Sequence, residues 1–482
     1  MYRTCRAPHL GDVVAMAGCL LALATACGPG DTSTTTGDFS GGGTDATSSS
    51  GASAGPASAT AGGATSDGST STTGSDATSS STTSSGSATA TTTGTPPKFD
   101  VGNTADVGPV ECGCGNSEWS YIWIANSPEH TVSKINTRTM TEEGRYRTRP
   151  DGSGNPSRTS VSIDGRAVVV ANRMGGVTKI WARPEYCEDK NNDNVITTST
   201  GPNDVLPFDQ EECIAWHTFV PETTVQRPVA WTSGELNPQT CEYENQKVWT
   251  TTGRNAPPDK GPNYCGAGGN WVHLLNGDTG EVEQTVFIPE SEVPCAAWGD
   301  WGFGFYGAAV DPDNNLWLST FGAGKFVKVD YQTLDYTVYS GSSYGITVDS
   351  LGRPWVGDNP RRFDEATQTW QSSGLPGAGG SGIAEDLQGR IWAATQGGVG
   401  WVDRDTLAVG DTVTLPFQGI YRGISVDIDG YIWAVRLGGN EAFRIDPDDY
   451  SFEMVGGLNG PYTYSDMSGG QLSAVTCGTP AG

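Results

Sequence analysis

The chain has 482 residues and a formal net charge of −27, from 55 Asp and Glu against 28 Lys and Arg. An acidic balance of this size argues against nucleic acid as a partner of the protein as a whole. The length allows a domain with a large core, to which 15 Trp and 16 Tyr contribute much of the apolar surface.

Residues 1–26 have the pattern of a secretory signal. Arg3 and Arg6 precede the run VVAMAGCLLALATA, which is apolar but too short to span a bilayer as a mature helix. The run ends at LATAC, which resembles a bacterial lipobox and implies that Cys27 becomes the lipidated N-terminus. The alternative is an ordinary signal with a chance cysteine after the cleavage site. We therefore expect a membrane partner through a lipid anchor, and a place in the cell envelope as an outer-membrane lipoprotein or at the cell surface.

Residues 27–100 consist almost entirely of Ser, Thr, Gly, Ala, Asp and Pro. Such a composition cannot bury enough apolar surface to offset the entropy of ordering, so it predicts a disordered stalk. The folded domain is then expected in residues 101–482.

A repeat occupies the second half of the chain. Its units hold a Gly, an apolar strand, an Asp turn and a second strand with Trp. The Trp residues are spaced by 38, 37 and 41 residues, and a period near 40 with short β-rich runs predicts a β-propeller. The units are YGAAVDPDNNLWLST from 306, YGITVDSLGRPWVGD from 344, SGIAEDLQGRIWAAT from 381 and YRGISVDIDGYIWAV from 421.

Each unit is predicted to form strands A to D, with the Asp side chain closing the A–B turn on backbone amides. Two weaker units precede these four, and residues 120–139 look like strands B and C of a blade without strand A. Residues 462–470 align on strand A of the other units, with Asp466 and Gly469 at the turn positions. We therefore expect an all-β, seven-bladed β-propeller closed by N- and C-terminal strands in one blade, with six or eight blades as alternatives. Residues 471–476 resemble a surplus strand B and have no assigned place.

These units resemble those of streptogramin B lyase-like and NHL-type propellers over most of residues 119–470. The resemblance implies the fold, and it makes a propeller lyase or hydrolase the alternative function. Streptogramin lyases use His and Glu side chains with a divalent metal on one face. Here His130, His217 and His273 fall on predicted strands C and D, so no catalytic residue carries over. A non-catalytic surface binding protein is the favoured interpretation.

One position varies while the scaffold of the repeat is constant. It precedes the Gly of strand A, where the D–A loop enters the ring on the face that we call the top. Around the ring the position holds Thr159, Arg227, Tyr306, Tyr344, Ser381, Arg422 and Pro461. Seven different residues there can build one asymmetric site, and aromatic faces with Arg suit an acidic glycan, another anionic ligand or a protein. Alternatively, the aromatic residues simply plug the channel. The predicted binding residues are Arg227, Tyr306, Tyr344, Arg422 and Tyr462, with Trp298 and Trp301 from the loop at 295–307.

The segment DKNNDNVITTST at 189–200 has oxygen-bearing residues at alternate positions, as in a calcium-binding loop. The expected ligands are Asp189, Asn191, Asp193, Val195 and Thr197. Position 6 is Asn194 rather than Gly, and position 12 is Thr200 rather than Glu. A structural Ca²⁺ and a solvated polar loop both remain open.

Eight cysteines lie outside the signal, an even number that predicts disulfides in an exported chain. Cys187 and Cys213 bracket one insertion and are expected to pair. Cys265 and Cys295 lie in neighbouring top loops and form the second expected pair. Cys477 is expected to meet Cys112 or Cys114, which leaves Cys241 for the other member.

Overall fold

Seven β-sheets follow one another around a central axis in the computed structural model, which confirms the seven-bladed propeller. The structure describes residues 112, 118–220, 225–254, 268–298, 301–341, 344–377, 381–464 and 466–477, without the side chains of 252–254, 296–298 and 301–303. The predicted signal and stalk, residues 1–100, lie outside the described residues.

Within each blade, antiparallel strands follow in sequence order from the axis outwards. Blade I contains β1 (Tyr121–Asn126), β2 (Thr131–Asn136) and β3 (Thr141–Arg147), and blade II contains β4 (Pro156–Val161), β5 (Ala167–Asn172), β6 (Val177–Trp181) and β7 (Ile214–Thr218). Blade III contains β8 (Val225–Trp231), β11 (Lys247–Arg254), β12 (Gly269–Asn276) and β13 (Val282–Pro289), with the small hairpin β9 (Glu235–Asn237) and β10 (Glu242–Glu244) inserted. A second hairpin, β14 (Ala296–Trp298) and β15 (Trp301–Phe303), precedes blade IV.

The remaining blades have shorter connections. Blade IV contains β16 (Phe305–Val310), β17 (Leu316–Thr320), β18 (Lys325–Val329) and β19 (Tyr336–Ser340), and blade V contains β20 (Ile346–Val348), β21 (Pro354–Val356), β22 (Arg361–Asp364) and β23 (Thr369–Ser372). Blade VI contains β24 (Ile383–Glu385), β25 (Arg390–Thr395), β26 (Gly398–Asp403) and β27 (Val409–Thr414), and blade VII contains β28 (Gly423–Val426), β29 (Ile432–Val435), β30 (Ala442–Ile445) and β31 (Phe452–Val455).

The C-terminal segment closes the ring, as predicted. Asn126 of β1 forms a bridge with Pro461, Tyr462 N–H donates to the carbonyl of Ala125 at 3.1 Å, and Trp123 N–H donates to that of Met467 at 2.8 Å. Blade I therefore obtains its inner strand from the far end of the chain, which leaves its β1 edge paired.

The repeated Asp and Trp form one hydrogen-bonded unit. The carboxylates of Asp311, Asp349, Asp386 and Asp427 each accept two backbone amides of the A–B turn, as predicted. The second carboxylate oxygen accepts Nε1 of the Trp six residues on, at 2.8–3.0 Å, a contact that was not predicted. The Trp rings are buried in the core between blades, so the bond to Asp satisfies an indole N–H that would otherwise lack a partner.

The tail after the closing strand is a helix, α1 (Gly470–Cys477), where the sequence suggested a surplus strand B. The strand B position of blade I is already filled by β1, so the tail finds no sheet edge to extend. Gly469 N–H donates to the Asp466 carboxylate at 2.8 Å, and Leu472 and Val475 are buried in the core. Gln471 Nε2 reaches the carbonyl of Ile383 at 3.0 Å, so α1 packs against the inner strand of blade VI.

Disulfides join Cys187 to Cys213, as expected, and Cys112 to Cys241, one of the two pairings left open. Cys295 and Cys477 are also disulfide-bonded. Cys114 and Cys265 lie outside the described residues. Disulfides of this kind are typical of extracellular and envelope proteins. In the described part of the chain, no helix has the length and hydropathy needed to cross a bilayer.

Candidate functional site

Five of the predicted binding residues meet at the axis. Arg227 lies in β8, Tyr306 in β16, and Tyr344 and Arg422 lie just before β20 and β28. Tyr462 comes from the closing segment beside β1. Tyr306, Tyr344 and Arg227 are buried, whereas Arg422 and Tyr462 are partly exposed.

Three tyrosine hydroxyls form the centre of this group. The oxygen of Tyr306 lies 2.6 Å from that of Tyr462 and 2.9 Å from that of Tyr344, and Tyr344 is also hydrogen-bonded to Tyr462. Arg227 Nη1 donates to the Tyr306 hydroxyl at 2.9 Å, and Arg422 Nη1 donates to the Tyr344 hydroxyl at 2.9 Å. Each of the two arginines therefore holds the phenol oxygen of a different tyrosine.

Two further arginines join the site and were not predicted as binding residues. Arg158 of β4 donates from Nη2 to the carbonyl of Tyr306 at 2.7 Å, and its guanidinium lies over the ring of Tyr464. Arg173, in the loop after β5, places its guanidinium 4.6 Å from the ring centre of Tyr462. We call the whole set the mouth cluster: Arg158, Arg173, Arg227, Tyr306, Tyr344, Arg422 and Tyr462.

Arg158 was not predicted at the axis because blade II has a different register from the one that the repeat predicts. The repeat predicts Thr159 at this position. In the structure Ser162 has the turn position, with its amide bonded to Ala167 and its carbonyl to Gly165, and a bulge separates Pro156 from Arg158. The Thr159 hydroxyl instead bonds the carbonyl of Asp466 at 3.3 Å. In the sequence, the shifted register of blade II is visible as a serine, Ser162, at the turn position where the other units have Asp.

The mouth cluster brings several arginine side chains together where they are largely shielded from water. Burial lowers the pKa of Arg158 to about 9 and that of Arg173 to about 10. Burial raises the pKa of Tyr306 to about 12 and that of Tyr344 well above its ordinary value. Burial also opposes ionisation of Tyr462, but Arg227, Arg422 and the hydrogen bonds of Tyr306 and Tyr344 lower its pKa to about 7.

Trp298 and Trp301, the other predicted binding residues, lie opposite each other in the β14–β15 hairpin. Their side chains lie outside the described part. Phe305, beside this hairpin, is fully buried at the start of β16 and belongs to the core.

The predicted calcium loop is folded around its own carboxylates. Asp189 accepts the amides of Asp193 at 3.2 Å and Asn194 at 2.7 Å, and Asp193 accepts that of Val195 at 2.8 Å. Asn194 has φ +67°, the conformation that Asn tolerates in place of Gly. The buried Glu212, which was not predicted, accepts the amides of Lys190, Asn191 and Thr197.

Among the described residues, no three His, Cys, Asp or Glu side chains are arranged to hold a metal ion. A loop that binds Ca²⁺ with few carboxylates would use Asn191 and backbone carbonyls, including those of Val195 and Thr197. The carboxyl oxygens of Asp189 and Asp193 that bond backbone amides retain lone pairs for such a cation.

The three histidines of the propeller domain have structural partners, and that of His130, Asn155, also accepts hydrogen bonds from Arg173 of the mouth cluster. His130 Nδ1 accepts the amide of Asn155 at 3.1 Å, His217 Nδ1 contacts the hydroxyl of Thr178 at 2.8 Å, and His273 Nδ1 contacts that of Thr285 at 3.0 Å. Their positions, before β2, in β7 and in β12, are those read from the sequence.

No protein-family model matches the chain, and no curated protein matches it. Among solved structures, a functionally unknown protein from Desulfotomaculum acetoxidans is 10% identical over 72% of this chain and 98% of its own, with a TM-score of 0.49. A protein from Lactobacillus plantarum is 12% identical over 72% of this chain and 98% of its own, with a TM-score of 0.48. A catalytically inactive virginiamycin B lyase from Staphylococcus aureus with quinupristin is 15% identical over 70% of this chain and 89% of its own, with a TM-score of 0.42.

Proposed function

We propose that this chain is a non-catalytic binding propeller of the cell envelope, and that its mouth cluster binds an anionic group of an acidic glycan. The observation that carries the proposal is the side chain of Arg158. It is 1% exposed, and its Nε and Nη1 have no hydrogen-bond partner among the described residues. A buried guanidinium with unsatisfied donors is costly, and a carboxylate or sulfate would satisfy them.

The surroundings of Arg158 also favour an anion. Arg173, Arg227 and Arg422 contribute three more guanidinium groups around the same tyrosines. Bringing like charges together under burial destabilises the empty site, so a negative ligand gains from each of them. Arg422 and Tyr462 are partly exposed and lie where a ligand first meets the cluster.

Binding of oligogalacturonate and dextran sulfate, with neutral dextran as the uncharged probe, tests this proposal by calorimetry. Arg422→Ala and Arg227→Ala are each expected to weaken binding by about tenfold or more, because a hydrogen bond to a charged group contributes about 1.5–3 kcal/mol. The loss should be larger at low salt, where charge attraction is less screened. Arg166→Ala removes the same charge from an A–B turn and should bind as the wild type.

Two results would contradict the proposal. If both mouth variants bind the acidic probes as the wild type does but melt several degrees lower, the arginines are struts between blades. If only a protein from a surface extract binds, and binding is unaffected by Arg422→Ala, recognition occurs elsewhere on the chain.

One feature of the mouth cluster favours the alternative function, a propeller lyase or hydrolase: the partly exposed Tyr462 lies among the guanidinium groups of Arg173, Arg227 and Arg422. Burial opposes its ionisation, but Arg227 and Arg422 lower the pKa of Tyr462 to about 7, and such a phenol can act as a general base at neutral pH. Cleavage of the bound glycan by the wild type and not by Tyr462→Phe would support this alternative over simple binding.

A further inference from the structure

The phenol oxygen of Tyr462 is a point where hydrogen-bond donors converge. The hydroxyl of Tyr306 lies 2.6 Å away and that of Tyr344 is also hydrogen-bonded to it. The guanidinium groups of Arg227 and Arg422 lie 5.9 and 5.6 Å from the centre of the Tyr462 ring. Two phenols and two guanidinium groups from four blades thus surround Tyr462.

The charges around the trio are unbalanced. Arginine can only donate, so the Tyr306 and Tyr344 oxygens accept from Arg227 and Arg422. Three guanidinium groups, those of Arg173, Arg227 and Arg422, lie 4.6, 5.9 and 5.6 Å from the centre of the Tyr462 ring, so a negative charge on this phenol oxygen offsets their mutual repulsion. The 2.6 Å distance to Tyr306 also lies in the range of O–H···O⁻ bonds.

The other charged and titratable groups around Tyr462 act in the same direction. Arg173 lies over its ring, and Arg158 lies deeper in the cluster, over the ring of Tyr464. The two arginines are cations, and Tyr464 is a phenol. Because Tyr306 and Tyr344 hold their protons more tightly than an ordinary tyrosine, Tyr462 is the member of the trio that gives its proton up.

We propose that Tyr462 is a phenolate that serves as the internal counter-ion of the arginines, and that an anionic ligand replaces it while Tyr462 takes up one proton. The proton comes from solvent and bonds to the phenolate oxygen. The arginines then exchange one negative partner for another. The exchange rests on the proposed function, whereas the phenolate in the ligand-free protein does not.

The phenolate is tested by its near-ultraviolet absorption during a pH titration of the ligand-free chain. The wild type should show a step of one tyrosine centred at about pH 7, and Tyr462→Phe should lose that step. Tyr336→Phe, which removes a surface phenol bonded to Glu292, should retain it. A wild type without ionisation below the range of ordinary tyrosines would overturn the inference.

The exchange is tested with inorganic sulfate, whose charge is constant over the pH range concerned. Calorimetry in buffers of different ionisation enthalpy should show uptake of about one proton per sulfate above the Tyr462 pKa, and affinity should fall about tenfold per pH unit there. Tyr462→Phe should remove both effects.

The outcomes separate the two proposals. Sulfate binding without proton uptake overturns the exchange and leaves the anion site standing. A phenolate step without binding of sulfate or of either acidic glycan overturns both the anion site and the exchange.

Discussion

The Asp that follows strand A makes three kinds of contact: with turn amides, with a Trp indole and with an Arg side chain. Asp349, which is fully buried, accepts the amides of Leu351 and Arg353 at 3.0 and 2.9 Å and Nε1 of Trp355 at 2.9 Å. Its second oxygen also forms an ion pair with Arg353. One carboxylate therefore holds the turn and anchors the Trp of the next strand.

Asp349→Ala should lower the melting temperature strongly, because a buried donor left unsatisfied costs about 1–3 kcal/mol and Trp355 Nε1 is one of several. The exposed Asp335 provides the control, and Asp335→Ala should be close to neutral. Thermal unfolding followed by circular dichroism measures both. Equal melting temperatures for the two variants would show that the Asp–Trp bond contributes little.

At the scale of elements, the insertion between β6 and β7 is held by few groups. The Cys187–Cys213 disulfide closes it, and the buried Glu212 accepts three of its amides. The side-chain oxygen of Asn191 and the carbonyl of Thr197 each accept one backbone amide and keep a second lone pair. We propose that this loop binds one structural Ca²⁺.

Calcium should then raise the melting temperature and a chelator should lower it, because a ligand that prefers the native state stabilises it. The double variant Asp189→Ala with Asp193→Ala should no longer respond to either. Asp204→Ala with Asp209→Ala removes the same charge from the same insertion and should respond normally. Melting curves that are identical with calcium and with chelator would identify a polar loop without a metal.

At the scale of the whole molecule, closure of the ring joins distant parts of the chain. Besides the strand from the C-terminus, Arg138 of blade I forms a bidentate pair with Asp429 of blade VII at 2.7 and 2.9 Å. The Cys112–Cys241 disulfide ties the N-terminal side of the domain to blade III across 129 residues. Of these links, the disulfide is typical of proteins in an oxidising compartment.

We propose that the chain is attached to a membrane by lipid on Cys27, with the outer membrane as its site. Cys27→Ala should then move the protein from the membrane fraction to the soluble fraction, because the acyl chains supply the membrane affinity. Cys19→Ala, within the apolar run of the signal, is the matched control and should leave the protein with membranes. Wild-type protein found entirely in the medium would contradict a lipid anchor.

The repeated scaffold was predictable because its determinants are local. Gly352, Gly389 and Gly430 have φ between +76° and +89°, as A–B turns of this kind require, and the Asp of each turn bonds amides two and four residues on. The same local pattern identified Asp466 and Gly469 as the end of the closing strand. Seven blades and their closure followed from these units.

The tail and blade II could not be read in the same way. Residues 471–476 have a strand-like pattern, but they lie in α1, because β1 already occupies the strand B position of blade I. In blade II a bulge and a Ser in the turn moved Arg158 to the axis. Both outcomes depend on pairing with residues far along the chain, which local pattern does not contain.

The sequence by itself thus determined the fold and, outside blade II, the position in the repeat that reaches the axis, because strands and turns are specified by neighbouring residues. Only the tertiary structure decided that Tyr306, Tyr344 and Tyr462 share their hydrogen bonds and that Arg158 and Arg173 join them. These residues come from different blades, and their contacts arise only when the ring closes and removes them from water. The charge and proton balance of the mouth cluster are therefore properties of the assembled ring.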